Sequence, residues 1–413
     1  MMDPTYALLA AIATLLLGLA AGKAWERYKL VEGKWVDRRR IRQTPHFIVG
    51  LNDLVGGRLE QAVEQFEAAL ALDPDALELR LMLGNLYRER GQVSRAIQEH
   101  QPLLQRPRLS PMESANILLC LGLDYRQAGF VDRATEAFSE VLKLDPTNEA
   151  ALVNLEKLQE EQQQWREAHA TRQRLSVLGS DTARARSKTI LAFLEHALGQ
   201  DAVARGDLPA SVRHFEAAIE LDRTVIPAYL GLGDVRRRLG DAAGAAAAWE
   251  AVVGVSPDRA WLVLERLETL YVSEGRADRF EALCKRLATA SPREWRARAA
   301  LAKHYRAHGR FQDALDLLFH ALEHNPHAIA IHQAIWALLS DMQVPQALMA
   351  RYIDLTGQAV FYRDPHICTR CRYRSSELLW QCPQCHEWST FVEERITPAS
   401  DIESTSADLP PTV

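Results

Sequence analysis

The sequence predicts an all-α fold, a long stack of helical hairpins that carries a small metal-dependent knot near its C-terminal end. Three observations predict this. Ala and Leu dominate a 413-residue chain that is 47% hydrophobic but only 7% aromatic, a composition that favours helix. A pattern of small, aromatic and turn residues recurs about every 34 residues. Finally, Cys368-Thr-Arg-Cys371 is followed after ten residues by Cys382-Pro-Gln-Cys385. The length leaves room for about two or three domains or one long repeat array.

The first element in the chain is an apolar run from Ala7 to Gly22, broken only by Thr14. At sixteen residues it is short for a membrane span, but Tyr6 and the aliphatic stem of Lys23 extend it by snorkelling. A cleaved signal peptide would have a basic n-region, and here Asp3 is the only charged side chain before the run. Residues 1–22 are therefore expected to be an uncleaved single-pass anchor. Residues 23–45 form a basic linker containing Lys23, Arg27, Lys29, Lys34, Arg38, Arg39, Arg40 and Arg42. By the positive-inside rule this places the bulk of the chain on the cytoplasmic side, with the linker against anionic headgroups.

Residues 46–345 carry the repeats. The clearest unit reads Leu-Met-Leu-Gly-Asn-Leu-Tyr over 81–87, then Arg-Glu-Arg-Gly over 88–91, then Arg-Ala-Ile over 95–97. Gly84 and Ala96 let two helices approach closely, Tyr87 fills the gap between hairpins, and Gly91 makes the turn. The same marks recur at Gly50, Phe66 and Pro74; at Gly122, Tyr125 and Phe138; at Gly206 and Phe215; at Gly233 and Trp249; at Tyr271 and Pro292; and at Tyr305 and Pro326. This is the period of tetratricopeptide repeats, which stack into a superhelix with a concave groove. Extra residues near Arg106–Pro111 and Gly179–Ser187 are expected to be longer turns. The fourth and fifth units depart most, with Glu156 and Gln159 where Gly and Tyr belong. Helices are expected over 327–340 and 346–360, the second connecting the array to the knot.

One place after the tyrosine position stand Arg88, Arg126, Arg237 and Arg306. On a regular stack they form a basic stripe along the groove, with Asn85 placed to bind a peptide backbone, which suits an acidic protein ligand. The competing reading is a set of ordinary solvated helix-surface arginines.

Residues 361–393 hold the knot. Two Cys-x-x-Cys pairs joined by a short hairpin can converge four thiolates on one tetrahedral ion. Cys368, Cys371, Cys382 and Cys385 fill every position, so the metal is expected to be structural. Zinc is the first expectation, with iron in the same thiolate site as the alternative. A redox dithiol would need a βαβ setting that this stretch lacks. His366 and His386 flank the knot and are expected at the surface. Phe361, Tyr373, Trp380 and Trp388 are expected to form a small core around the metal, whose binding energy decides whether so small a module folds. Beyond it, 394–413 is rich in Ser, Thr, Pro and Asp and reads as a disordered tail.

The net charge of −5 argues against nucleic acid as a partner, although Arg370, Arg372 and Arg374 would carry such a role. No phosphate loop, nucleophile elbow or His-Glu-x-x-His motif is present, so no enzyme activity is expected. His304 and His308 lie four apart and are expected on a helix surface. Cys120 and Cys284 fall at core spacing and are expected to be buried apolar residues.

An N-terminal anchor facing the cytoplasm, about eight or nine tetratricopeptide units and a terminal four-cysteine module together resemble the lipopolysaccharide assembly protein B family. The most specific pieces are Leu-Gly-Asn-Leu-Tyr-Arg-Glu-Arg-Gly over 83–91 with His100-Gln101, and Leu379-Trp-Gln-Cys-Pro-Gln-Cys-His-Glu-Trp-Ser-Thr390. The resemblance implies a rubredoxin-like zinc ribbon ligated by Cys368, Cys371, Cys382 and Cys385. It further implies an inner-membrane adaptor that presents the lipid A deacetylase to a membrane AAA+ protease and communicates with an inner-membrane lipopolysaccharide sensor. The alternative is a scaffold that gathers lipopolysaccharide synthesis and transport enzymes without directing proteolysis. A homodimer is left open by the sequence.

Overall fold

The computed structural model describes residues 45–394 apart from 291–293, 326–327, 348, 351–352 and 354–365. The anchor expected over 1–22, the basic linker up to residue 44 and the tail beyond residue 394 lie outside the described residues. So does most of the helix expected over 346–360, of which 346–347, 349–350 and 353 are helical. No helix among the described residues is long and apolar enough to cross a membrane.

The chain divides into two compact units, one up to Leu158 and one from Gln159 onward. In the first unit α1 (Pro45–Val55) pairs with α2 (Leu59–Leu72), α3 (Leu77–Glu89) with α4 (Val93–His100), and α5 (Pro111–Gln127) with α6 (Val131–Leu144). Helix α7 (Glu149–Glu161) crosses the division, and α8 (Trp165–Leu178) follows it. The second unit continues with α9 (Asp181–Ala204) on α10 (Leu208–Leu221) and α11 (Ile226–Arg238) on α12 (Ala242–Val255). It then adds α13 (Trp261–Ser273) with α14 (Ala277–Ala290), α15 (Arg296–Ala307) with α16 (Phe311–His324), and α17 (Ile329–Asp341).

The repeat marks have direct physical causes. Within a hairpin, the turn needs a residue in the left-handed region so that the next amide can bond back to the helix end. Gly91 takes φ 74°, and Gln92 N–H then reaches the Tyr87 carbonyl at 2.8 Å. The α7–α8 turn uses Gln163 at φ 57° instead, a conformation that costs an L-residue about 1 kcal/mol.

The small residue of each first helix faces a large ring sixteen positions later. A Cβ on Gly122 would sit 2.5 Å from the Phe138 ring, one on Gly199 2.6 Å from Phe215, and one on Gly233 2.2 Å from Trp249. Where the glycine is lost the ring is lost too: Ala302 matches Leu318, and Glu268 matches Cys284. Each pair keeps the two helices at one separation, and a methyl group added on either side overpacks the hairpin.

The tyrosine position locks one hairpin to the one before it. Tyr87 donates to Glu67 while Arg95 lies 4.1 Å over its ring. Tyr271 repeats this with Glu250 and Arg279, and Tyr305 with Glu281 and Arg310. Burial and the adjoining carboxylate raise all three phenol pKa values, so the donor stays protonated.

Two expectations are corrected here and a third is met. The extra residues near Gly179–Ser187 are not a longer turn; from Asp181 they wind into the 24-residue helix α9, capped at Ser180. The extra residues near Arg106 do form a loop, after a 3-10 turn over Gln101–Gln105. His304 is not on the surface. It is 4% exposed, edge-on to Phe280 and facing Glu268.

The C-terminal module is a three-stranded antiparallel sheet in the order β2-β1-β3. Its strands are β1 (His366–Cys368), β2 (Arg374–Ser375) and β3 (Phe391–Glu393), with Ile367 opposite Arg374 and Cys368 opposite Phe391.

Candidate metal centre and the surface it rests on

The four cysteines come together on two matching turns. Arg372 N–H bonds the Cys368 carbonyl at 2.9 Å, and His386 N–H bonds the Cys382 carbonyl at 2.9 Å. Cys368 N–H reaches Tyr373 O at 2.9 Å, just as Cys382 N–H reaches Glu387 O at 3.0 Å. Each turn closes through a left-handed residue, Arg372 at φ 64° and His386 at φ 55°. His386 is thus a turn residue whose Nε2 lies 3.6 Å from Glu161, and its role is geometric.

The turns bring Cys368 Sγ within 3.7 Å of Cys385 Sγ, and Cys371 Sγ within 3.5 Å of Cys382 Sγ. All four sulfurs lie within 4.8 Å of one another. A tetrahedral ion with metal–sulfur bonds of about 2.3 Å requires sulfurs about 3.8 Å apart, so the donor set fits such an ion.

Amides aim at the sulfurs, as a metal-thiolate site requires. Burial opposes ionisation of Cys368, but the Thr390 hydroxyl and the amides of Arg370 and Cys371 outweigh it and bring the thiol down to about 6. Cys385 has the amide of Glu387, yet burial and the three other sulfurs push it up to about 12. Four crowded thiols cannot all ionise without a cation between them, and a divalent ion removes that conflict.

The aromatic residues expected around the metal divide instead into two sets. Tyr373 packs edge-on to Phe391 within the module, whose buried centre is Cys368, Cys382 and Phe391 with Leu378 and Leu379 alongside. Phe361 lies outside the described residues. Trp380 and Trp388 face the helical array rather than the metal. A module this small has no interior wide enough for two indoles, and burying them against a neighbour removes more apolar surface from water.

Trp388 stacks on Phe193 of α9 with centroids 5.1 Å apart and planes 17° apart, and meets Trp165 of α8 edge-on. Its Nε1 donates to Glu160 Oε1 at 3.2 Å, while Gln381 Nε2 donates to Glu160 Oε2 at 2.8 Å. Glu160, at the end of α7, is only 5% exposed. A buried carboxylate needs such donors, and losing one leaves it short of partners in a poor solvent for charge. Trp380 lies 5.5 Å from the Arg259 guanidinium and packs on the two apolar clusters that together run from α9 to α17. Arg259 also donates to the Phe391 carbonyl at 3.3 Å. Arg296, which opens α15, pairs with Glu393 at the end of β3, and Arg186 reaches Glu387 at 2.7 Å. The module is therefore seated on the second unit by two indoles, one buried carboxylate and three arginines.

Glu160, Trp165, Phe193, Arg259 and Arg296 were not singled out from the sequence. The one available signal was local: next to Glu160 stands Gln159, which replaces the expected Tyr and bonds Thr171 at 2.8 Å.

The arginines of the expected stripe are mostly engaged. Arg88 binds Asp124 and Asn85, each at 2.8 Å, and Asp124 also holds the buried His100 at 2.6 Å. Arg126 donates to Asn154 at 2.9 Å, and Arg306 to Asp341 at 2.5 Å. Asp124, Asn154 and Asp341 each lie on the next first helix, so these three arginines tie neighbouring hairpins together. Arg237 is exposed.

Comparison with known proteins follows the same division of parts. Residues 366–393 match a rubredoxin metal binding domain, and residues 56–109, 196–260 and 230–294 match tetratricopeptide repeats. Lipopolysaccharide assembly protein B of Escherichia coli (strain K12) is 26% identical over 381 residues, covering 91% of this chain and 96% of that protein. Its namesake in Haemophilus influenzae is 23% identical over 400 residues, covering 94% and 98%. A crystal structure of MamA protein is 21% identical over 52% of this chain and 93% of that one, with a TM-score of 0.28, too low to carry an argument. The alignments run through repeats and cysteine module alike, so the chain is similar over nearly its whole length to proteins named lipopolysaccharide assembly protein B.

Proposed function

We propose that this chain is an inner-membrane adaptor that restrains lipopolysaccharide synthesis by presenting the lipid A deacetylase to a membrane AAA+ protease. The observation that carries this reading is the likeness, through array and cysteine module together, to relatives named for lipopolysaccharide assembly. The apolar run Ala7–Gly22 and the basic segment after it support a tether with the array in the cytoplasm. A tether raises the local concentration of a captured enzyme beside a membrane protease without any new contact.

The adaptor acts without catalysis of its own. Zinc held by Cys368, Cys371, Cys382 and Cys385 would have four protein ligands and no open position for water, which suits a structural role. Protein partners bind along the first helices of the repeats, where Asn85, Arg88, Arg126, Arg237 and Arg306 lie. The interhelical pairing of most of these residues means that they shape the surface at least as much as they contact a ligand. Deleting the gene is expected to raise the deacetylase protein level several-fold with its message unchanged. An unchanged protein level favours a scaffold that gathers the enzymes without directing their breakdown.

A further inference from the structure

The last turn of α16 carries His320-Ala-Leu-Glu323-His324. Residues three and four apart share a helix face, so this spacing sets two imidazoles and one carboxylate side by side. The order His-x-x-Glu-His is one in which two histidines of a single helix hold zinc. In the structure the three side chains do converge. One ligand atom from each lies within 4.8 Å of the other two, and His320 Nδ1 is 2.7 Å from Glu323 Oε2. The two imidazole rings are 5.7 Å apart, centre to centre. A tetrahedral ion with nitrogen bonds of about 2.1 Å holds its imidazole rings about 5 Å apart and its donor atoms about 3.4 Å apart. Small side-chain rotations therefore bring the trio onto one ion.

The packing of the hairpin does not use these side chains. All three are exposed, while the buried side of α16 is made by Ala314, Leu315, Leu318 and Ala321. His324 ends the helix, and the carbonyls of a C-terminal turn favour positive charge. Imidazole donors suit zinc, copper or nickel, and three protein ligands leave a position for water or for a group from another protein.

We propose that His320, Glu323 and His324 form a second metal site, which takes an exchangeable zinc-like divalent ion at the C-terminal end of α16. The cysteine module encloses its ion with four thiolates, whereas this site lies open to solvent and fills or empties with the free metal level. When bound, the ion staples the last turn of the helix.

The test adds zinc ions to the full chain with its cysteine module already loaded. Titration calorimetry should show one further, weaker equivalent, and zinc should slow hydrogen exchange in the last turn of α16. His320→Ala and His324→Ala should each weaken that equivalent by at least the roughly tenfold that loss of even a supporting partner costs a metal site. Glu323→Gln should weaken it less. The module's own equivalent and the circular dichroism should not change, because the three side chains are exposed. His46→Ala removes an exposed histidine elsewhere in the chain and should leave the weaker equivalent intact. Absence of a second equivalent overturns the proposal. So does a second equivalent that survives both His320→Ala and His324→Ala, or that is lost in His46→Ala, since histidines elsewhere then hold the ion.

Discussion

Replacing Cys382 with Ser is expected to unfold the C-terminal module while leaving the helices in place. Cys382 is fully buried, and its sulfur lies 3.5 Å from that of Cys371. With three thiolates the site loses most of a metal-binding energy that amounts to about 10–16 kcal/mol in small zinc modules. The sheet has only three short strands and a centre of two cysteines and one phenylalanine, too little to hold it without the ion. Far-ultraviolet circular dichroism should stay close to that of the unmodified chain, because the repeats have their own cores. Bound metal should fall well below one equivalent, the indoles at 380 and 388 should become solvent-exposed, and adaptor activity should be lost. A Cys382→Ser chain that retains one tightly held metal ion and full activity would show that the four-thiolate site is not what holds the module.

Replacing Trp388 with Ala separates the metal from the seating. The ring stacks on Phe193, touches Trp165 and donates to the buried Glu160, yet it makes no contact with the sulfurs that the ion requires. Truncating a large aromatic residue costs about 3–5 kcal/mol when it is fully buried. Trp388 is half-buried, so about 2–3 kcal/mol is expected, enough to shift the seating equilibrium roughly 30- to 150-fold. The variant should keep its full equivalent of metal but show faster hydrogen exchange in α8 and α9 and a larger hydrodynamic radius. Glu160→Gln should do the same more weakly, since it removes the charge but leaves an amide that can still accept. If Trp388→Ala loses its metal as readily as Cys382→Ser, seating and metal binding are one event rather than two.

The repeats were legible because tetratricopeptide packing depends on local identities. Gly91 must be left-handed, Tyr87 must bridge hairpins, and the small residue at Gly84 must face His100, so each leaves a mark in the sequence. The four cysteines were legible because ligand number and spacing are chemistry written directly in the chain. The seating was not legible, because it joins residues more than two hundred positions apart, such as Glu160 and Trp388, through contacts with no period. Trp380 and Trp388 were visible as aromatic residues on short strands, but the sequence does not distinguish a ring turned toward the metal from one turned toward a neighbour. Their number was the clue: a module with so small a centre cannot enclose two indoles. His304 was misplaced for a related reason. A His-x-x-x-His spacing shows which residues share a helix face, but not whether a neighbouring helix covers that face, as α14 does through Phe280. The extra residues near Gly179 were read as a turn, although Ser180 followed by a run of helix formers marks a capped helix start.

The seating also gives the cysteine module a role in the proposed function. Its contacts with α7, α8, α9, α15 and Arg259, just before α13, turn a run of separate hairpins into a braced surface. Loss of the metal should then impair partner capture even where the partner never touches the module.

The most direct test of the adaptor account is the half-life of the lipid A deacetylase after translation is stopped. It should be measured in cells with the full chain, with no chain, and with a chain lacking residues 1–22. The account predicts a short half-life only with the full chain, and lengthening both without the chain and without its first 22 residues. The same half-life in all three would contradict it, and would leave the chain as a scaffold that assembles the enzymes without delivering one of them for degradation.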